Sequence, residues 1–493
     1  MKKIVSFIFA ISFAFMGMVF LTACDETSFK GEVTNYTMEL TYRGEQKCIF
    51  GKQKVDYYNG SNSALSVLEF HLYPNAFRDG AKFKPVSFSN QEKAYPNGLS
   101  YGHIEINGVK QGMNTLTYQI TGEDENILRI SLLKELFPEE RITVEINFVS
   151  YLPNCYHRYG YGNETINLAN FYPIACVIGS DGNFENSPYS ANGDPFFSDM
   201  ANYEVFFTYP AEFVLANTGD VLGTNFSKAE KVSKIRAEYV RDFAIVLSEK
   251  FQVLKQNEGG TEVSYFFYKD KNPQRSLETA VRALRTNNQL FGKYPYSTLQ
   301  VVESNFVYGG MEYPNLVLIS DSLASEDEYL NVIVHEVAHQ WWYNLVGSDE
   351  YKNAWLDEGL TEFTTAVFYL YNEGYSTSYE QAIYRASESY NMFLNVYSGV
   401  FDKVDTSMNR ELNQFATEPE YVYIIYVKGM LMFDTLKNVL GDDMLSACLR
   451  DYFSTYAYKN STPEGLIECF EKISGRDLES FFNSWIKGQV VFM

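Results

Sequence analysis

The sequence predicts an α+β protein in two parts: an all-β saddle or sandwich domain, then a mainly helical domain holding a zinc site. Three observations carry this. From Tyr36 to about Leu247, apolar and polar residues alternate in short runs broken by turn residues, with no long helical pattern between them. From about Arg275 onward, helical periodicity dominates. Inside that second part, His335-Glu336-Val337-Ala338-His339 is followed, after eighteen intervening residues, by Glu358.

The chain opens on a targeting segment. Lys2 and Lys3 precede an apolar run from Ile4 to Phe20, and Leu21-Thr22-Ala23-Cys24 reads as a lipobox. The pattern predicts a bacterial lipoprotein signal over residues 1–23, cleavage before Cys24, lipidation of that cysteine, and a polar tether over residues 24–34. An ordinary signal peptide or an anchoring helix are the alternatives, and each also exports the body. The expected location is therefore extracytoplasmic, anchored by lipid to a bacterial membrane. Losing residues 1–23 removes two positive charges and no negative ones, taking the net charge from −22 to −24. So acidic a body excludes nucleic acid as a partner and is repelled by anionic lipid, which leaves attachment to the lipid at Cys24. The charge suits solubility outside the cell, and also cationic substrates such as peptides with a free amino terminus.

The β domain is expected over residues 35–247. Tyr36–Tyr42, Arg141–Phe148 and Tyr203–Tyr209 alternate cleanly, and Asn59-Gly60, Asn107-Gly108 and Thr218-Gly219-Asp220 read as turns. The second domain is expected over residues 248–493. Gln256-Asn257-Glu258-Gly259-Gly260, close to the change of texture, is either a polar linker or a hairpin turn within the second domain. A helix follows over Arg275–Phe291, stopped by Gly292 and Pro295, then a strand over Leu299–Tyr308 and later helices over Met430–Leu440 and Pro463–Ile473. Five cysteines remain after Cys24, an odd number and none in a CxxC pair, so they are not the metal ligands. Cys155–Cys176 and Cys448–Cys469 are pairs that sequence distance permits, but buried thiols are the main expectation.

The metal helix is marked at its start by Ser325-Glu326-Asp327-Glu328, a capping box. Leu330, Ile333, Val334, Val337 and Trp341 then form an apolar stripe. His335 and His339, at i and i+4, share one face and reach one ion. Glu358 is far enough away for the helix to end, the chain to turn and a second helix to supply a third ligand. Three protein ligands leave a tetrahedral zinc with an open position, which marks a catalytic site. Glu336 stands beside the ion where it acts on a metal-bound water instead of ligating. The chain has only five histidines, so a chance HExxH is rare.

With these residues in view, the chain resembles the zinc aminopeptidases of the aminopeptidase N type, a gluzincin family. Three segments carry the resemblance in order: Gly309-Gly310-Met311-Glu312-Tyr313-Pro314, the zinc motif with Trp341-Trp342 behind it, and Tyr426-Val427-Lys428-Gly429. Weaker echoes are Phe70–Asn75 and Asn170–Pro173. The resemblance covers nearly the whole chain after the signal and implies a short two-domain form with a thermolysin-like catalytic domain and one Zn2+ per chain. It implies removal of N-terminal residues from peptides by attack of a zinc-bound water. Glu336 would be the base and Tyr426 would donate a hydrogen bond to the oxyanion. Glu312, within a substrate-binding segment of Gly309, Gly310 and Met311, would hold the free α-ammonium. The two glycines let substrate lie close to the strand backbone. Glu362, or failing it Asp357, would orient a ligating histidine. The chain departs from the family at Tyr313, where Asn is usual, which bears on fine specificity. It also lacks room after Tyr426 for the domains that roof larger relatives, so a more open cleft is expected. A gluzincin endopeptidase and a non-catalytic peptide-binding relative are the alternatives. Oligomeric state is not legible.

Overall fold

The computed structural model describes residues 31–401 and 404–490. The signal over 1–23, Cys24 and the tether as far as residue 30 lie outside the described residues. Among the described residues, no helix is long and apolar enough to cross a membrane.

The alternating runs become strands because only one of their faces is apolar. In Ala201–Pro210, every second residue is buried. That strand pairs in parallel with Thr34–Arg43, which in turn pairs antiparallel with Cys48–Tyr58. They belong to an eight-stranded sheet, joined by two four-stranded sheets. The inner faces meet in one core, in which Met38, Val55, Leu68, Phe70, Leu128, Ile146, Val205 and Ile245 are sealed from solvent. Asn59-Gly60 and Thr218-Gly219 do turn the chain, but Asn107-Gly108 does not. It lies inside the strand His103–Gln111, where the pairing with Arg141–Tyr151 shifts register between Ile106 and Gly108. A bulge uses a glycine for the same backbone freedom as a turn, and local sequence does not separate the two.

The helices, in chain order, are α1 (Gln91–Ala94), α2 (Pro273–Leu290), α3 (Glu326–Ala338), α4 (Glu350–Asn353), α5 (Glu358–Tyr371), α6 (Tyr379–Phe401), α7 (Glu418–Val422), α8 (Lys428–Leu440), α9 (Asp442–Tyr456), α10 (Pro463–Ser474) and α11 (Glu479–Ile486). All but α1 follow the β region. They accompany a five-stranded sheet whose edge strand is Gly310–Met311. The polar stretch ending in Gly259-Gly260 is the hairpin turn joining Gln252–Glu258 to Thr261–Phe267, both glycines having positive φ.

This sheet joins the two parts of the molecule. Val263, Tyr265, Val301, Val317 and Ile319 face the helices, while Phe266, Val302, Leu316 and Leu318 belong to the core of the β region. Burial on both faces explains the unbroken apolar run Leu316–Ile319 in the strand Leu316–Ser320. The strand expected over Leu299–Tyr308 is Thr298–Ser304. It stops where Ser304 and Asn305 turn to bond Asn167 and Thr165 of the β region. Arg241, fully buried, ties the two parts again. Its Nε donates to Tyr343 O at 2.7 Å and Asn344 O at 3.0 Å, and its guanidinium also reaches Ser198 and Lys459 carbonyls. Cys48, Cys155, Cys176, Cys448 and Cys469 are free, buried thiols, so neither permitted disulfide forms.

Candidate active site

The zinc motif occupies the last turn of α3. Ser325 caps the helix by accepting Glu328 N–H, while the Glu328 carboxylate takes Ala324 N–H at 3.0 Å, so the expected box closes one residue early. His335 and His339 project from one face, and Glu358 opens α5. Their three ligand atoms form a small triangle. His335 Nε2 lies 3.1 Å from His339 Nε2 and 3.3 Å from Glu358 Oε2, and His339 Nε2 lies 3.2 Å from the same oxygen. Ligands about 2.0–2.1 Å from a tetrahedral zinc stand about 3.3 Å apart, so one ion touches all three without rearrangement.

The other nitrogen of each imidazole is held by a carboxylate. Glu362 Oε2 is 2.9 Å from His335 Nδ1, and Asp357 Oδ1 is 2.6 Å from His339 Nδ1. Each pair fixes its ring with Nε2 toward the metal position. Glu362 and Asp357 thus divide a task that sequence reasoning treated as belonging to one of them. The surroundings favour positive charge at this point. Burial pushes the His335 imidazole down, but Glu358 and Glu362 outweigh it and hold it up at about 10. Burial pushes Glu358 up, but His339 and His335 hold it below the usual carboxylate range. Protons on the histidines or a divalent cation satisfy the same demand, and a hard–borderline N2O donor set suits zinc.

Around this triangle stand the remaining residues. Glu336 is buried, with Oε2 lacking a partner, and burial pushes its carboxyl up to about 7 against the pull of His335 and His339. Gly310 passes directly over it. Tyr426 donates to Glu358 Oε1 from a π-helical turn, Tyr423–Val427, that continues into α8. Lys428 anchors that junction by donating to the carbonyls of Thr406 and Trp485. Glu312 is 3% exposed, its Oε1 unpartnered, and burial and then Asp194 hold its carboxyl well above the ordinary range.

Tyr313 departs from expectation. It is wholly buried and donates to Asn170 Oδ1 at 2.8 Å in the β region, so it does not line the cleft and cannot set specificity by touching substrate. Alternation along an extended segment explains this: with Glu312 facing the cleft, its neighbour faces the core.

Sequence reasoning missed Asp194 and Arg158. Both come from the β region, form an ion pair, and line the same cleft of about 550 Å3 as Glu312, Glu336 and the triangle. Oxygens of Asp194, Glu312 and Glu358 lie within 4.8 Å of one another. Gly193-Asp194-Pro195 reads only as a turn, and no spacing connects it with residues more than a hundred positions away.

The chain resembles known proteins in sequence and in fold. Residues 275–485 match the Peptidase family M1 domain. The chain is 29% identical over 249 residues to Aminopeptidase M1-B of Oryza sativa subsp. japonica, covering 47% of this chain and 27% of that protein. It is 24% identical over 296 residues to Aminopeptidase N of Lactococcus lactis subsp. lactis (strain IL1403), covering 54% of this chain and 34% of that protein. The chain thus spans about a third or less of these curated relatives. Its fold matches the M1 zinc metallopeptidase from Deinococcus radiodurans over 94% of this chain and 96% of that one, with a TM-score of 0.65 at 14% identity. A point mutant of that enzyme bound to a Tyr-ser-ala substrate matches with a TM-score of 0.63 at 14% identity, over 93% of this chain and 95% of that one.

Proposed function

We propose that this chain, an aminopeptidase N-like gluzincin of the M1 type in two-domain form, is a zinc-dependent aminopeptidase that removes N-terminal residues from peptides. The observation that carries the reading is the carboxylate pair Glu312 and Asp194 beside the ligand triangle, with Glu312 Oε1 unpartnered. A buried carboxylate without a partner calls for a cation, and a substrate α-ammonium bound there leaves only the first peptide bond at the metal. The relatives named as aminopeptidases and the neighbour bound to a tripeptide support the same reading.

Zinc held by His335, His339 and Glu358 would supply a Lewis acid for the scissile carbonyl and draw the pKa of a water towards about 7. Glu336, poised by burial near neutrality, takes the proton of the attacking water and returns it to the leaving amine. The Tyr426 hydroxyl, which donates to Glu358 Oε1 in the free site, would turn that one donor to the oxyanion as it forms. Glu362 and Asp357 keep both imidazoles aligned, and the backbone of Gly309–Met311 offers an edge for the peptide main chain.

The test compares free and N-acetylated peptides of one sequence. An aminopeptidase cleaves only the free form, and Glu312→Ala raises KM for it while zinc content stays near one per chain. Equal cleavage of both forms would replace this reading with a gluzincin endopeptidase.

The lipobox ending at Cys24 supports an extracytoplasmic enzyme tethered by lipid to a bacterial membrane. A Cys24→Ala variant that stays in the membrane fraction would sink that proposal.

A further inference from the structure

We propose that the active-site cleft continues into a second compartment that binds a carboxylate carried by the downstream part of the peptide, with Lys93 as its receptor; this rests on the aminopeptidase reading above. The direction of the peptide comes first. Gly310–Met311 is the free edge of the five-stranded sheet, to which an extended peptide adds as a further strand. With the ammonium at Glu312, the peptide has one way to run. Tyr313 and Pro314 are buried and close the path on one side. The other side leads past Gly309 and Tyr308 to Val307.

The second compartment begins there. Its volume is about 550 Å3, and it shares Lys93, Val307 and Ser322 with the cleft around the triangle. Beyond them it is lined by Tyr156, Lys250, Tyr268, Lys269, Asn305 and Asp321, among others. Its charge is opposite to that of the first. Lys250 pairs with Glu164, and Lys269 pairs with Asp321 at 3.0 Å, whereas Lys93 has no ion-pair partner among the described residues. A net positive compartment on a chain of net charge −22 lies next to one crowded with carboxylates. A short peptide is itself such a dipole, with ammonium at one end and carboxylate at the other.

The walls are held in place. Lys93 lies on α1, whose Ala94 carbonyl accepts Tyr156 N–H at 2.8 Å, while Tyr156 O accepts Val307 N–H at 2.9 Å. Asn90, just before α1, donates to Glu418 Oε2 of α7 at 2.6 Å, which bridges the cleft between the two parts of the molecule. On the far wall, Glu303 accepts the N–H groups of Tyr268 at 2.7 Å and Lys269 at 2.9 Å. Asp321 Oδ2 gathers Tyr268 Oη, Lys269 Nζ and Asn305 Nδ2. From Glu312 back through the strand Gly310–Met311 and the bend at Val307–Gly309, the chain spans at most about 17 Å, which places the carboxylate on roughly the third to fifth residue of the substrate. It is either the C-terminal carboxylate of a short peptide or the side chain of an acidic residue.

The test measures calorimetric binding to zinc-loaded Glu336→Gln protein, which holds peptides without turning them over. The probes are tetra-alanine as the free acid, tetra-alanine amide, and Ala-Ala-Ala-Glu amide. The free acid, the glutamyl amide or both should bind roughly three- to fivefold tighter than tetra-alanine amide, and which of them does identifies the source of the carboxylate. Lys93→Gln should erase that ratio and Lys93→Arg should keep it. Equal binding of all three probes, or a ratio that survives Lys93→Gln, overturns the proposal. Hydrolysis of the same peptides by the unsubstituted enzyme reports separately on the aminopeptidase reading. Intact peptides alongside a preserved binding ratio would sink that reading and leave the carboxylate subsite standing.

Discussion

Gly310 has no room for a side chain, because a Cβ there would overlap the carboxylate of Glu336. In the proposed mechanism the residue would serve two ends with one absence: substrate backbone would gain access to the strand, and Glu336 would sit close beneath it as the base. Gly310→Ala is therefore expected to lower kcat/KM about a hundredfold by displacing Glu336, while zinc stoichiometry, measured on the purified protein, stays at one per chain. Loss of zinc together with activity would mean that the substitution disrupts α3 as a whole. Glu336 and Glu312 are alike in being buried carboxylates with an unpartnered oxygen. They differ in what lies next to them. Glu336 is beside two imidazoles that draw its carboxyl back to about 7, whereas the largest influence on Glu312 after burial is the like charge of Asp194.

Two helices meet at a pair of glycines just behind the site. A Cβ on Gly429 of α8 would lie 2.6 Å from Gly359 Cα in α5, directly after the ligand Glu358. The close crossing holds Tyr426 against Glu358 and explains the glycine in the Tyr-Val-Lys-Gly segment as a packing requirement. Gly429→Ala should separate α5 from α8, lowering stability by about 1–3 kcal/mol in denaturant titration and weakening zinc affinity in parallel. Zinc affinity unchanged at reduced stability would uncouple the crossing from the site. In the β region, the strand Leu65–His71 buries His71 against Tyr73, ring centroids 4.6 Å apart, and burial lowers the imidazole to about 4. In the unfolded chain the same group takes its proton near 6.5. Between those values the unfolded state binds more protons, so stability falls as pH drops, by about 3 kcal/mol once pH is below 4. His71→Phe keeps a ring against Tyr73 without a titrating nitrogen. Its unfolding free energy should lose about 3 kcal/mol less than that of the parent between about pH 6.5 and 4.

At the scale of the whole molecule, the site is assembled from both sides of the shared sheet. The β region contributes Asp194 and Arg158, and the helical region contributes the triangle, Glu312 and Tyr426. Asp194, Glu312, Glu336, Glu350, Asp357 and Glu358 are all buried close together, a concentration of carboxylates that a divalent cation offsets. Chelation should therefore remove more than activity. Thermal unfolding of the chelated protein should fall well below that of the zinc form, by the equivalent of about 4 kcal/mol when free zinc stands a thousandfold above its dissociation constant. A melting temperature indifferent to chelator would mean that the carboxylates are neutral without the ion. The pairing of His335 with His339, and the exchange of β texture for helical texture, were legible in the sequence because each rests on local rules; Glu358, which completes the triangle, was legible from its spacing after the motif. The i, i+4 spacing places two rings on one helical face, and a two-residue alternation makes a one-sided strand. The burial of Tyr313, the bulge at Gly108, the partnership of Asp194 with Glu312 and the continuation of the cleft to Lys93 depend on which surfaces meet across more than a hundred residues of chain. Local periodicity carries no record of such meetings, and they were settled only when the two cores closed on opposite faces of one sheet.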